Sequence, residues 1–157
     1  IIYIIALSYF INMRPMEYIK FILTFLAGFS TILFCDYIWL GYIVKRFTIA
    51  EFDQLIVVEE GSVKVNIVAG LFAWASIVAL VYFFVLKSGY AQSNLSALGY
   101  GALMGGLSYA MYDLTNLTFL KNYSLSFTLV DIGWGVFLCA MVALVMYNVD
   151  KYLTQLF

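Results

Sequence analysis

The sequence predicts an all-α polytopic membrane protein with four transmembrane helices. Of its 157 residues, 65% are hydrophobic and 11% are charged. The mean hydropathy is +0.99, and four apolar stretches are each long enough to cross a bilayer. A soluble domain of this composition has too few polar side chains to cover its own surface.

Residues 1–13, IIYIIALSYFINM, are apolar but fall short of the roughly 20 residues that a span needs. They lack the basic start and small-residue cleavage site of a secretory signal, so they read as the remainder of a longer end. Three placements stand for them: a short interfacial N-terminal helix, the tail of an upstream span, or a segment packed on a partner. The expected organisation is an apolar leader or interfacial segment over 1–15, a four-helix transmembrane domain over 16–147 and a short C-terminal extension over 148–157. That extension either lies at the interface or docks on another subunit.

The crossings are expected over about 19–44, 65–86, 95–117 and 124–147, each able to cover a hydrocarbon layer of about 30 Å. Between the first two lies KRFTIAEFDQLIVVEEGSVK, in which Phe47, Glu51 and Leu55 recur at helical spacing beside Phe52 and Ile56. A short interfacial helix fits that spacing, and LIVV alternatively forms a brief extended run. KSGYAQSN and LKNYS read as turns, with Gly89 giving the first its backbone freedom and Ser124 suited to cap the last helix. The second crossing carries no strongly ionisable residue. It reads as the lipid-facing or scaffolding helix, with Trp74 and Ser76 as ordinary membrane-helix features.

Four crossings put both ends on one side, A, together with Arg14, Lys20, Lys87 and Lys151. Side B receives Lys45, Arg46, Lys64 and Lys121, and the tie leaves orientation open. The net charge of −1 offers no basic stripe for phosphates, which excludes nucleic acid as a partner. Histidine is absent, and Cys35 and Cys139 each stand alone among apolar neighbours. Haem ligation by histidine, histidine-containing di-iron sites, the usual zinc centres and a histidine base are therefore missing from the inventory. No cofactor, metal site or catalytic residue is expected.

Three aspartates stand out against this apolar background. Asp36 lies nine residues before Lys45, Asp113 eight before Lys121, and Asp131 ten after Lys121. Helical rise places the first and last about 13 to 15 Å from side B, with Asp113 slightly nearer the exit. Carboxylates are costly in lipid, about 2.5 to 3.5 kcal/mol at a helix centre, so these three should point into the bundle, a polar crevice or a partner. Tyr109, Asp113 and Asn116 share one helical face, as do Thr128, Asp131 and Gly135. Trp39 and Trp134 each follow an aspartate by three residues and have an indole N–H to donate. They equally suit an aromatic belt near side B. Two close carboxyls would share a proton and clamp helices together, whereas an ionised one would require several donors or an external cation.

The third crossing, ALGYGALMGGLSYA, carries Ala97, Gly101 and Gly105 at steps of four, with Gly106 on the adjacent stripe. Such small side chains, together with Gly135 on the fourth crossing, suit close helix packing.

CDYIWLG on the first crossing and YGALMGGLSYAMYDLTNLTFLKNYSLSFTLVDIGWG across the last two resemble the small bacterial membrane proteins of domain-of-unknown-function family 2177. The resemblance spans roughly 16–147 and aligns Asp36, Trp39 and Gly41 in the first block. It aligns Tyr112, Asp113, Leu114, Thr115, Asn116, Asp131 and Trp134 in the second. It implies four helices and no established activity. The loop after the first helix departs from the family's aromatic and glycine-containing pattern, so no family role carries over to it.

Two functions compete on these grounds. One is a non-catalytic scaffold or accessory subunit bound to lipid and other integral membrane subunits. The other is a small transporter of ions, protons or polar substrates that uses the aspartates. Lipid-headgroup chemistry comes third and lacks an identifiable nucleophile. The richness in Phe, Tyr and Ile is compatible with an AT-rich organellar gene and a mitochondrial inner-membrane location.

Overall fold

A computed structural model describes residues 14–52, 56–59 and 62–156. The leader expected before residue 14 lies outside this description. The fold is all-α, with five α-helices among the described residues. Helix α1 (Pro15–Ile38) starts on a proline, whose missing N–H costs nothing in a first turn. The Glu17 carboxylate turns back to accept from the Arg14 backbone N–H at 2.9 Å. A π-helical turn, Trp39–Ile43, prolongs the helix toward side B.

The loop expected to hold an interfacial helix or an extended LIVV run contains a short helix and a strand that starts only at Val58, while Leu55 lies outside the described residues. Helix α2 (Lys45–Glu51) is followed by a minimal antiparallel pair, β1 (Val58–Glu59) with β2 (Ser62–Val63). Helix α3 (Ile67–Val81) begins where the Asn66 side chain accepts from the Ala69 N–H, and it ends in a second π-helical turn, Tyr82–Leu86. The turn after it passes through Gly89 at φ +82, a conformation that a Cβ disfavours. Helix α4 (Asn94–Phe119) is capped by Ser93. Helix α5 (Leu125–Leu156) is capped by Ser124, whose hydroxyl accepts from the Phe127 N–H at 3.1 Å. Residues 148–156 continue α5 without a break.

Three helical stretches are long and apolar enough to cross a membrane: Pro15–Ile43, Ile67–Leu86 and Leu125–Leu156. The chain is an integral membrane protein. The expectation of four such helices is met in length by α4, whose 26 residues cover about 39 Å. In apolarity α4 falls behind, because glycine, serine, tyrosine and asparagine replace the branched aliphatics of the other three.

Helix α5 is the axis of the bundle and packs against α4, α1 and α3. The buried face of α1 is the i, i+4 stripe Thr24, Gly28, Ile32 and Asp36. Val78, Val81, Tyr82 and Val85 come from α3 and its π turn, and Leu138, Cys139, Val142, Ala143 and Met146 from α5. Most of this stretch nonetheless faces outward, with Ile67, Val68, Phe72 and Phe84 exposed, in keeping with the lipid-facing or scaffolding reading of the second crossing. Between helices in lipid, apolar burial supplies little drive, so close backbone approach and hydrogen bonds carry more of the packing.

The side-A end is tied by charge. Asp150 on α5 receives Lys20 of α1 at 3.1 Å and Lys87, just beyond α3, at 3.4 Å. Lys20 also donates to Thr154. The Tyr147 hydroxyl donates to the Gln92 carbonyl at 2.9 Å, fastening the start of α4 to the same level.

Candidate functional site

At the opposite end from Asp150, α1 delivers Asp36 into the bundle with 6% of its surface exposed. Each of its oxygens accepts an indole N–H from a different helix. Trp74 of α3 donates to Oδ2 at 2.6 Å and Trp134 of α5 to Oδ1 at 2.8 Å. One carboxylate thus joins α1, α3 and α5, each of its oxygens accepting one indole N–H. Trp39 takes part through its ring face, lying parallel to Trp134 with centroids 4.3 Å apart. That stack holds the Trp134 indole edge-on to Asp36, a contact worth about 0.5 to 1.5 kcal/mol beyond area burial.

The second half of the site joins α4 to α5. Asp113 is fully buried, and its Oδ1 accepts the Tyr123 hydroxyl at 2.7 Å. Its Oδ2 is buried with no hydrogen-bond partner. The carboxyl of half-buried Asp131 lies within hydrogen-bonding reach of Asp113. Asn116, one turn beyond Asp113, reaches the Tyr123 hydroxyl. The Tyr109 ring lies directly on Gly135, and its hydroxyl is in electrostatic range of all three aspartates. Thr128 is buried and spends its hydroxyl on the Ser124 carbonyl at 3.0 Å.

The structure therefore gathers Asp36, Trp39, Tyr109, Asp113, Asn116, Asp131 and Trp134 at one end of the bundle, in two sub-sites. Among the described residues no three acids or cysteines are grouped so as to hold a metal ion. Cys35 and Cys139 are both free thiols.

Aromatic side chains close this end. Phe52, buried just after α2, packs on Tyr123 at 5.4 Å and edge-on to Phe127 at 4.5 Å. Phe47 of α2 lies over Phe127 at 6.2 Å. Burial, and then the bond to Asp113, push the Tyr123 phenol well above its usual range, so it remains a donor.

Glycines bring the helices close enough for these contacts. A Cβ on Gly101 would stand 2.6 Å from both the Ala143 Cβ and the Cys139 carbonyl oxygen. One on Gly105 would run into the Gly135 carbonyl, and one on Gly135 into the Tyr109 ring. Gly106 is less tight, 3.0 Å from Val136 Cγ2. Gly28, which sequence reasoning passed over, does the same for α1: a Cβ there would meet Met146 Sδ at 2.5 Å.

Sequence reasoning also missed Trp74 and Tyr123. Trp74 lies ten residues after Lys64, the same count that placed Asp131 after Lys121, so depth alone would have put it level with the acids. Tyr123 gave no comparable signal, because its reach back to Asp113 depends on how the turn folds, with Asn122 at φ 63.

No curated protein and no solved structure matches the chain. The model of the predicted membrane protein family DUF2177 matches residues 21–148, and the chain belongs to that family.

Proposed function

We propose that this protein is a non-catalytic scaffold or accessory subunit of a larger membrane assembly, with four crossing helices and an internal acidic clamp. The observation that carries this reading is Asp36 held between Trp74 and Trp134. Both its oxygens are spent on fixed donors from two other helices, which suits a tie. A fourth crossing is supported by α4 running beside α5 from the Gln92–Tyr147 contact to the Asp113–Asp131 contact. A helix fastened to a spanning neighbour at both ends shares its depth. The partners proposed are lipid and other integral membrane subunits. Mild-detergent purification tests the reading: stable recovery with other membrane subunits is expected, and persistent recovery as a monodisperse free protein would count against it.

A second reading, transport of a proton, cation or polar substrate, draws on the orphaned Asp113 oxygen beside half-buried Asp131. It predicts flux into proteoliposomes that is lost in D113N or D131N variants that remain folded. Unchanged flux in both would dismiss it.

A further inference from the structure

Hydrogen-bond accounting at the α4–α5 contact leaves one group short. Asp113 has no exposed surface, yet its Oδ2 meets no donor. What lies within reach is a second acceptor, the Asp131 carboxyl. The other polar or titratable groups around this pair are Asp36 on α1, Tyr109 and Asn116 on α4 and Tyr123 in the turn. Asp36 is occupied by its two indoles, and the Tyr123 hydroxyl is given to Oδ1. No described ion pair reaches either carboxyl. A buried acceptor without a donor is costly, whereas one hydrogen placed between two carboxyls satisfies both.

We propose that Asp113 and Asp131 form a proton-binding site, one hydrogen held between the two carboxyls and exchanged through Asp131, the less buried of the two. The orphaned, fully buried Oδ2 of a carboxyl that lies within reach of Asp131 is what points to an occupant. A calcium ion takes six or more oxygens, and two carboxyls with one phenol fall short of that set. The proton fits without further ligands. The aromatic cover of Phe52, Tyr123 and Phe127 closes the Asp113 side, which leaves Asp131 as the side open to exchange. This inference stands apart from the scaffold reading, since co-purification reports on partners and the experiment below on the proton.

The test is infrared spectroscopy of the full chain in lipid nanodiscs at neutral pH, comparing H2O with D2O. A protonated-carboxyl C=O band that shifts on deuteration is expected in wild type and D36N, and it should vanish in D113N and in D131N. Absence of the band from wild type, or its survival in both D113N and D131N, overturns the proposal. Because D113N alters a fully buried group, melting of two variants at the less buried partner provides a second reading. The amide introduced by D131N can donate to Asp113 in place of the proton, so its melting point should lie within about 2 °C of wild type. D131L supplies no donor and should melt about 4 to 10 °C lower. Equal melting of the two variants overturns the proposal. So does stabilisation of wild type on exchanging choline for sodium at fixed pH, which would assign the site to an alkali cation.

Discussion

Replacing Trp74 with phenylalanine removes one N–H donor and keeps an aromatic ring in the same space. The bond lost is the 2.6 Å contact to Asp36 Oδ2, on a carboxylate 6% exposed. Hydrogen bonds to charged groups contribute about 1.5 to 3 kcal/mol net. For a chain of this size each kcal/mol moves the melting point by about 2 to 4 °C, so W74F should lower it by about 3 to 12 °C. Part of that loss is packing, because indole is larger than phenyl. The double-mutant cycle with D36L separates the two contributions, since leucine at position 36 leaves Trp74 nothing to donate to. Thermal unfolding in detergent, followed by helical circular dichroism, should give a coupling of about 1.5 to 3 kcal/mol. A coupling below about 0.5 kcal/mol would show that the two side chains are merely adjacent, and the clamp would lose its main support.

Other consequences are as direct. Gly105→Ala forces a Cβ into the Gly135 carbonyl and should cost about 1 to 3 kcal/mol by overpacking, while Gly133→Ala, with open space around it, should be near neutral in the same melting assay. Asp150→Asn weakens the contacts of both Lys20 and Lys87, and should cost about 1 kcal/mol at low salt and less at high salt. The raised Tyr123 phenol sets a pH dependence. Its neutral form is favoured in the fold, so its contribution is complete below about pH 10, where a free tyrosine titrates, and is lost as pH rises toward the folded value. Titrating stability of wild type against Y123F should show a steeper alkaline decline in wild type, and parallel curves would refute the assignment.

Depth counting was the part of the sequence that spoke most directly to the site. Helical rise from Lys45 and Lys121 singles out Asp36, Asp113 and Asp131, and in the structure Asp36 meets Trp74 and Trp134 while Asp113 lies within reach of Asp131. The small-residue stripe of α4 was legible as well, since close approach demands residues without side chains wherever backbones meet. What a level does not specify is azimuth. The indole of Trp39, as well placed in depth as that of Trp134, stacks on its neighbour's ring while Trp134 donates to Asp36. Trp74 was discounted because its own helix showed no polar company, although its partner stood on another helix at the same height. The lower apolarity of α4 has the same origin as its packing role: glycine and serine reduce hydropathy while permitting the contact with α5.

The same residue type is thus satisfied in two different ways within one bundle. Asp36 has two indole donors, which an ionised carboxylate accepts without further help. Asp113 and Asp131 face one another with a single phenol between them and their surroundings. Two bare carboxylates about 4 Å apart would repel by about 4 kcal/mol at an effective dielectric constant of about 20. One hydrogen removes that repulsion and provides the missing donor together. It follows that D36N and D131N, chemically identical changes, should differ in effect. At position 36 the introduced amide turns its own donors toward an indole N–H and loses a bond, whereas at position 131 it stands in for the shared hydrogen. D36N should therefore melt below wild type and D131N level with it. The reverse order would mean that the two sub-sites had been assigned the wrong way round.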